Sequence, residues 1–169
     1  MHKKVDIADT AMLEYLEIFK MEYEREFNKK QSFDNRAGLI LTLLGAISIF
    51  LFEHIKINEI ITLIKFPISF LNIIKAFSGL TVYVAFIYTV IKSIATIIVK
   101  PQNQYAIKNI NNKRLKEEKI VAIKRMISTY EKIIIQHREV NLKRAISFTE
   151  ALYGMGITLI AIIVYIAFS

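Results

Sequence analysis

The sequence predicts an all-α membrane protein with three transmembrane helices and a cytoplasmic layer of two amphipathic helices. Three observations predict it. Uncharged apolar stretches approach the width of a bilayer, a strongly basic stretch separates the second from the third, and the charge-rich segments carry apolar residues at helical spacing. The 169 residues are 54% hydrophobic, more apolar surface than a soluble fold of one domain's length needs.

Residues 1–36 form the first amphipathic helix, on the cytoplasmic side. Met12, Leu16, Phe19, Tyr23 and Phe27 recur at helical spacing, with Glu14, Glu17, Glu22, Glu24 and Glu26 on the other faces and Asp9 or Thr10 to cap the start. This segment lacks the apolar core and cleavage site of a secretory signal, so it is expected to remain in the mature protein.

Residues 37–99 hold the first two spans. Ala37 to Phe52 is uncharged and covers about 24 Å as a helix, slightly less than a ~30 Å hydrocarbon core, so its flanks must help. Ala76 to Ile91 is also uncharged and continues past Lys92, which can snorkel, to Val99, where Pro101 stops the helix. Between them, residues 57–77 are apolar but broken by Glu59, Lys65, Pro67 and Lys75. Were this stretch a crossing, only Ser78 and Gly79 would separate it from the next, and the basic segment would lie outside. An interfacial or re-entrant piece keeps both the N-terminus and the basic segment cytoplasmic, so three spans are favoured over four.

Residues 100–149 are that basic segment: between Ile98 and Glu150 stand twelve Lys or Arg and four acids. From Lys113 to Ile146 there is no Gly or Pro, and Ile120, Ile123, Ile127, Tyr130 and Ile134 form a seam for another helix. Its basic residues, Lys113, Arg114, Lys116, Lys119, Lys124, Arg125, Lys132, Arg138, Lys143 and Arg144, read as a solvated, headgroup-facing surface or as a receiver of an anionic partner. Residues 150–169 supply the third span, uncharged from Ala151 to Phe168, with Tyr153 and Tyr165 near the two interfaces.

The chemistry-bearing residues argue against an enzyme. There is no cysteine, His2, His54 and His137 are isolated from one another, no serine sits in a nucleophile elbow, and the five glycines form no phosphate loop. No cofactor or metal is expected. A net charge of +8 is read as cytoplasmic retention of Lys and Arg and attraction to membrane lipids, with nucleic acid disfavoured.

Three sets of residues stand out instead. Gly38, Thr42 and Ala46 on the first span, and Gly154 and Thr158 on the third, repeat every four positions, as small residues do where helices approach closely in lipid. They serve packing within the chain or contact with a neighbouring subunit. Asp34 and Arg36 precede the first span, either as helix cap and headgroup anchor or as a switch at membrane entry. Lys92, Ser93 and Thr96 are polar positions that an open state would place along a leak path.

The first span is entered through Asp34, Asn35, Arg36 and Ala37; Pro101 follows the second, and Asn141, Leu142 and Lys143 lie before the last apolar segment. In this order of parts, and in its D-x-K/R-A entry, the chain resembles small transmembrane effectors of bacterial antiphage signalling. These are the Pycsar transmembrane effector family and the related SLATT (SMODS and SLOG-associating two-transmembrane effector) domains. The resemblance implies a multi-pass effector of the bacterial inner membrane, N-terminus cytoplasmic, acting in abortive infection. It would form a homo-oligomer and perturb or permeabilise the membrane when a cytoplasmic protein partner or nucleotide second messenger reports infection. The chain departs from the pattern in having no recognisable nucleotide-binding domain and a longer stretch at 57–77. The alternative is a non-enzymatic membrane anchor or accessory subunit that recruits a soluble partner through its basic cytoplasmic helix.

Overall fold

The computed structural model describes residues 7–65, 69–98 and 119–168. These are helical throughout apart from short joints, in the order α1 (Ile7–His54), α2 (Ile57–Lys65), α3 (Phe70–Ile97) and α4 (Lys119–Ala167). Three helices, α1, α3 and α4, are long and apolar enough to cross a membrane. With nine residues, α2 reaches about 13.5 Å and is too short to cross. Pro101, and with it the expected stop after the second span, lies outside the described residues, as does the start of the basic segment.

Expected boundaries between soluble helix and span are absent. The 48 residues of α1 and the 49 of α4 each form one uninterrupted helix. Neither Asp9 nor Thr10 caps α1, since both lie inside it, and Asp34 is likewise mid-helix. No proline interrupts either helix, and their glycines fall within apolar stretches, where breaking the backbone ladder in hydrocarbon would leave unsatisfied amides. The second span starts earlier than Ala76, because Ser69, extended at φ −144 and ψ 151, accepts a hydrogen bond from the Leu71 amide and starts α3 at Phe70.

The chain divides into two compact units: α1 up to Ser32 with α4 up to Leu142, and α1 from Phe33 with α2, α3 and α4 from Lys143. In the first unit Glu22 meets Arg138 and Glu26 meets Asn141, so the two helices run parallel. In the second, Phe33 lies beside Phe148, and Ile40 and Leu44 cluster with Ala151, while Leu51 and Ile55 cluster with Ala161, Ile162 and Tyr165. There too α1 and α4 are parallel. α3 opposes them, since Lys92 meets Glu150 whereas Gly79 faces Tyr165. The three long helices therefore alternate in direction within the second unit, and Asp34 of α1 and Arg144 of α4 lie together at one end of it.

Each long helix keeps its contacts on a seam stepping by three and four residues. On α1 the inward positions are Leu16, Phe19, Tyr23, Glu26, Lys30, Phe33, Ala37, Ile40, Leu44, Ile47 and Leu51, all buried or half-buried. Much of the remaining span surface is exposed leucine, isoleucine and phenylalanine, such as Leu39, Leu43, Ile87, Ile91, Ile160 and Ile163, suited to lipid contact.

Candidate functional site: polar pairs between the long helices

Polar side chains interrupt the seams at three levels, and each is met from another position in its unit. In the first unit the Glu26 side chain is only 2% exposed. Lys29 donates to its carboxylate at 2.7 Å, and the Asn141 amide donates to the carboxylate at 2.8 Å and to the Glu26 carbonyl at 2.9 Å. Arg138 stands 3.6 Å from the same carboxylate and donates to Glu22 at 2.9 Å. Burial pushes the Glu26 carboxyl up, but hydrogen bonds from Lys29 and Asn141 and the charges of Lys29 and Arg138 outweigh it and hold it below the ordinary value of 4.5. His137, also buried, lies against Tyr23, which packs edge-on to Tyr130.

A depressed carboxyl pKa carries a pH dependence of definite sign. Glu26 adds stability in full above pH 4.5, and the contribution disappears as the pH falls through the lower folded value. Acid titration in detergent, followed by tyrosine fluorescence, is expected to show a shallower loss below pH 4.5 in Glu26→Gln than in the unmodified chain. Parallel acid limbs would remove Glu26 from the account.

At the entry of the second unit Arg144 donates to Asp34 at 2.9 Å; Arg144 is 2% exposed and Asp34 33%. The Arg144 Nε has no hydrogen-bond partner among the described residues. Arg36, expected to act with Asp34, is exposed. The partner of Asp34 is instead a residue 110 positions away, from a face expected to be solvated. Glu26 was likewise expected on an outer face and is buried.

Deeper in the second unit the Lys92 ammonium lies 2.7 Å from Glu150 and 5.5 Å from the centre of the Tyr88 ring. Beside it Ser93 and Thr96 are buried on the inner face of α3, as is Thr89. The hydroxyls of Thr89, Thr96 and Thr158 donate to the carbonyls of Ala85, Lys92 and Gly154, one turn back, which satisfies them in an apolar setting. The Ser93 hydroxyl has no partner among the described residues.

The two small-residue faces differ. Gly154 is pressed against Thr89 and Tyr88 of α3 and Thr158 is buried, so this face is covered from within the chain. Gly38 is half-buried but its Cβ direction is open, with nothing within 4 Å, and Thr42 and Ala46 are exposed. Of the isoleucine seam, Ile123 and Ile134 are buried, Ile127 and Tyr130 half-buried and Ile120 exposed.

One signal reaches the residues that charge pattern misplaces. Continued at the same steps past Ile134, the seam meets His137, Asn141, Arg144, Phe148, Ala151, Met155, Thr158, Ile162 and Tyr165, every one buried or half-buried. Among the described residues no group of three or more His, Asp or Glu is placed to hold a metal ion. No protein-family model, curated protein sequence or solved structure matches the chain.

Proposed function

We propose that the chain is a non-enzymatic effector of the bacterial inner membrane, acting in antiphage defence with its N-terminus cytoplasmic. It self-associates through the open face of α1 and perturbs the bilayer when a cytoplasmic signal alters the first unit. The observation that carries this reading is the contrast between the two small-residue faces. Lipid tails are as apolar as leucine, so helices associate in a membrane through close packing, which small residues allow. The Gly154 face is already covered from within the chain, whereas Gly38, Thr42 and Ala46 leave an unfilled approach of the same kind.

Further support comes from charge and from resemblance. The excess of Lys and Arg between Ile98 and Glu150 favours a cytoplasmic location for that segment, and the parallel run of α1 and α4 in the first unit supports the same side for the N-terminal part of α1. The order of parts resembles that of antiphage effectors. In the closed arrangement Lys92 is held by Glu150, and Ser93 and Thr96 are shielded. A shift between α3 and α4 would release the ammonium and uncover both hydroxyls along a polar path.

Expression in cells carrying a potential-sensitive dye tests the reading. Triggered cells are expected to depolarise, and Gly38→Leu to suppress depolarisation while lowering the native mass in detergent toward that of one chain. An unchanged potential in resting and triggered cells would sink it. Recovery of a soluble partner through exposed Lys124, Arg125 and Lys132, with membranes intact throughout, would favour the anchor reading instead.

A further inference from the structure

Away from the polar pairs, α2 and the start of α3 border an open cleft of about 330 Å³ lined by Asn58, Glu59, Thr62, Leu63 and Lys75. The three faces of α2 explain how it forms. Ile60 turns into the core against Gly79, so tightly that a Cβ there would stand 2.8 Å from its Cδ1. Ile57, Ile61 and Ile64 form an exposed apolar row, and Asn58, Glu59 and Thr62 make the polar face. A short helix with these faces, set between two helices long enough to span, is suited to lie in the membrane interface.

Spacing along α3 fixes the depth of the cleft. Lys75 and Lys92 bracket an uncharged stretch and lie about 26 Å apart along the axis, near the ~30 Å thickness of a hydrocarbon core. Lys92 meets Glu150 about 9 Å inside the entry level of Arg144, so Lys75 stands about 35 Å from that entry and the cleft opens at headgroup level on the far side. The Lys75 ammonium lies 5.2 Å from the centre of the Tyr165 ring. Tyr165 is buried, and its hydroxyl has no partner among the described residues. Neither Glu59 nor Lys75 forms an ion pair with another described residue. Opposite charges thus line one cleft without neutralising each other directly.

We propose that this cleft binds an ammonium–phosphate zwitterion, the phosphoethanolamine headgroup, with its phosphate on Lys75 and its ammonium on Glu59. A simple anion would meet Glu59 and a simple cation would meet Lys75; a ligand carrying both charges satisfies both walls. The Asn58 amide adds a donor for phosphate oxygen. A primary ammonium can donate a charge-assisted hydrogen bond to Glu59, which a trimethylammonium cannot. The inference needs the chain to span a bilayer but is independent of self-association or membrane damage.

Native mass spectrometry of the full chain, released from micelles containing equal amounts of phosphatidylethanolamine, phosphatidylcholine and phosphatidylglycerol of one acyl composition, tests it. Phosphatidylethanolamine is expected to be retained on the order of tenfold over the other two, the lower end of the scale of one charge-assisted hydrogen bond. Glu59→Gln should reduce it to the level of phosphatidylglycerol, and Lys75→Gln should lower both together. Displacement by free phosphoethanolamine would identify a soluble source of the headgroup, and retention against it a lipid source. Equal retention of the three lipids by the unmodified chain overturns the proposal even if both variants misfold. Selectivity that survives both substitutions in folded protein overturns it as well.

Discussion

Asp34→Ala is expected to destabilise the chain by about 2–3 kcal/mol, and more than Arg144→Met does, although Asp34 is the more exposed partner. The order follows from which group is left behind. Without Asp34 the Arg144 guanidinium, 2% exposed, keeps its charge but loses the one carboxylate that meets it among the described residues. Breaking a buried pair from one side costs roughly 3–5 kcal/mol, and water at the one-third-exposed Asp34 lowers the expected figure. Without Arg144, Asp34 can turn to water and an apolar methionine fills the vacated seam. The double variant Asp34→Leu with Arg144→Met should recover most of the loss, because a buried pair replaced by apolar groups of similar volume is often neutral. Thermal unfolding in detergent, read by circular dichroism, should place Asp34→Ala roughly 5–10 °C below the unmodified chain. If Asp34→Ala unfolds no earlier than Arg144→Met, the buried-charge account of the entry pair is wrong.

That pair also shows where the sequence is readable and where it is not. The three long apolar helices, a non-crossing stretch between the first two, and the inward placement of Ile123 and Ile134 follow from local periodicity and charge, whereas the repeat of Gly154 and Thr158 leaves packing within the chain and contact with a neighbouring subunit both open. The places of Arg144, Asn141 and Glu26 do not follow, because a polar residue is assigned to water unless its partner is known, and these partners lie 110 to 115 positions away. The seam could have placed them. Strictly alternating steps of three and four from Leu16 reach Glu26, whereas Phe27 needs two steps of four in succession, and Phe27 is indeed exposed. Read as a heptad rather than a list of apolar residues, the pattern assigns the polar positions to the interior and makes their pairing a requirement. The continuity of α1 and α4 was hidden for a different reason. A change in composition resembles a boundary between elements, but a helical backbone needs no break where its surroundings change from water to lipid.

Gly154→Ala and Gly156→Ala, two residues apart on one helix, are expected to act with opposite signs. A Cβ at Gly154 would collide with the Thr89 hydroxyl and stand 3.1 Å from Cδ1 of Tyr88, whereas one at Gly156 meets nothing within 4 Å. Thr89 has little room to yield: it is buried, β-branched, and committed through its hydroxyl to the Ala85 carbonyl at 2.7 Å. Separating α3 from α4 at this point also strains the Lys92–Glu150 pair, one turn along α4. Overpacking of this kind costs about 1–3 kcal/mol, more than the roughly 0.5–1 kcal/mol that alanine gains over glycine in a helix. At Gly156 only the gain remains. Gly154→Ala should therefore lower the unfolding temperature in detergent and Gly156→Ala leave it unchanged or slightly higher. Thr89→Ala should rescue Gly154→Ala beyond the sum of the single effects, since it removes the colliding hydroxyl, and that coupling is the signature of direct contact. A Gly154→Ala chain as stable as Gly156→Ala would mean that α3 and α4 do not approach through Gly154, and the open face of α1 would lose the contrast on which its proposed role depends.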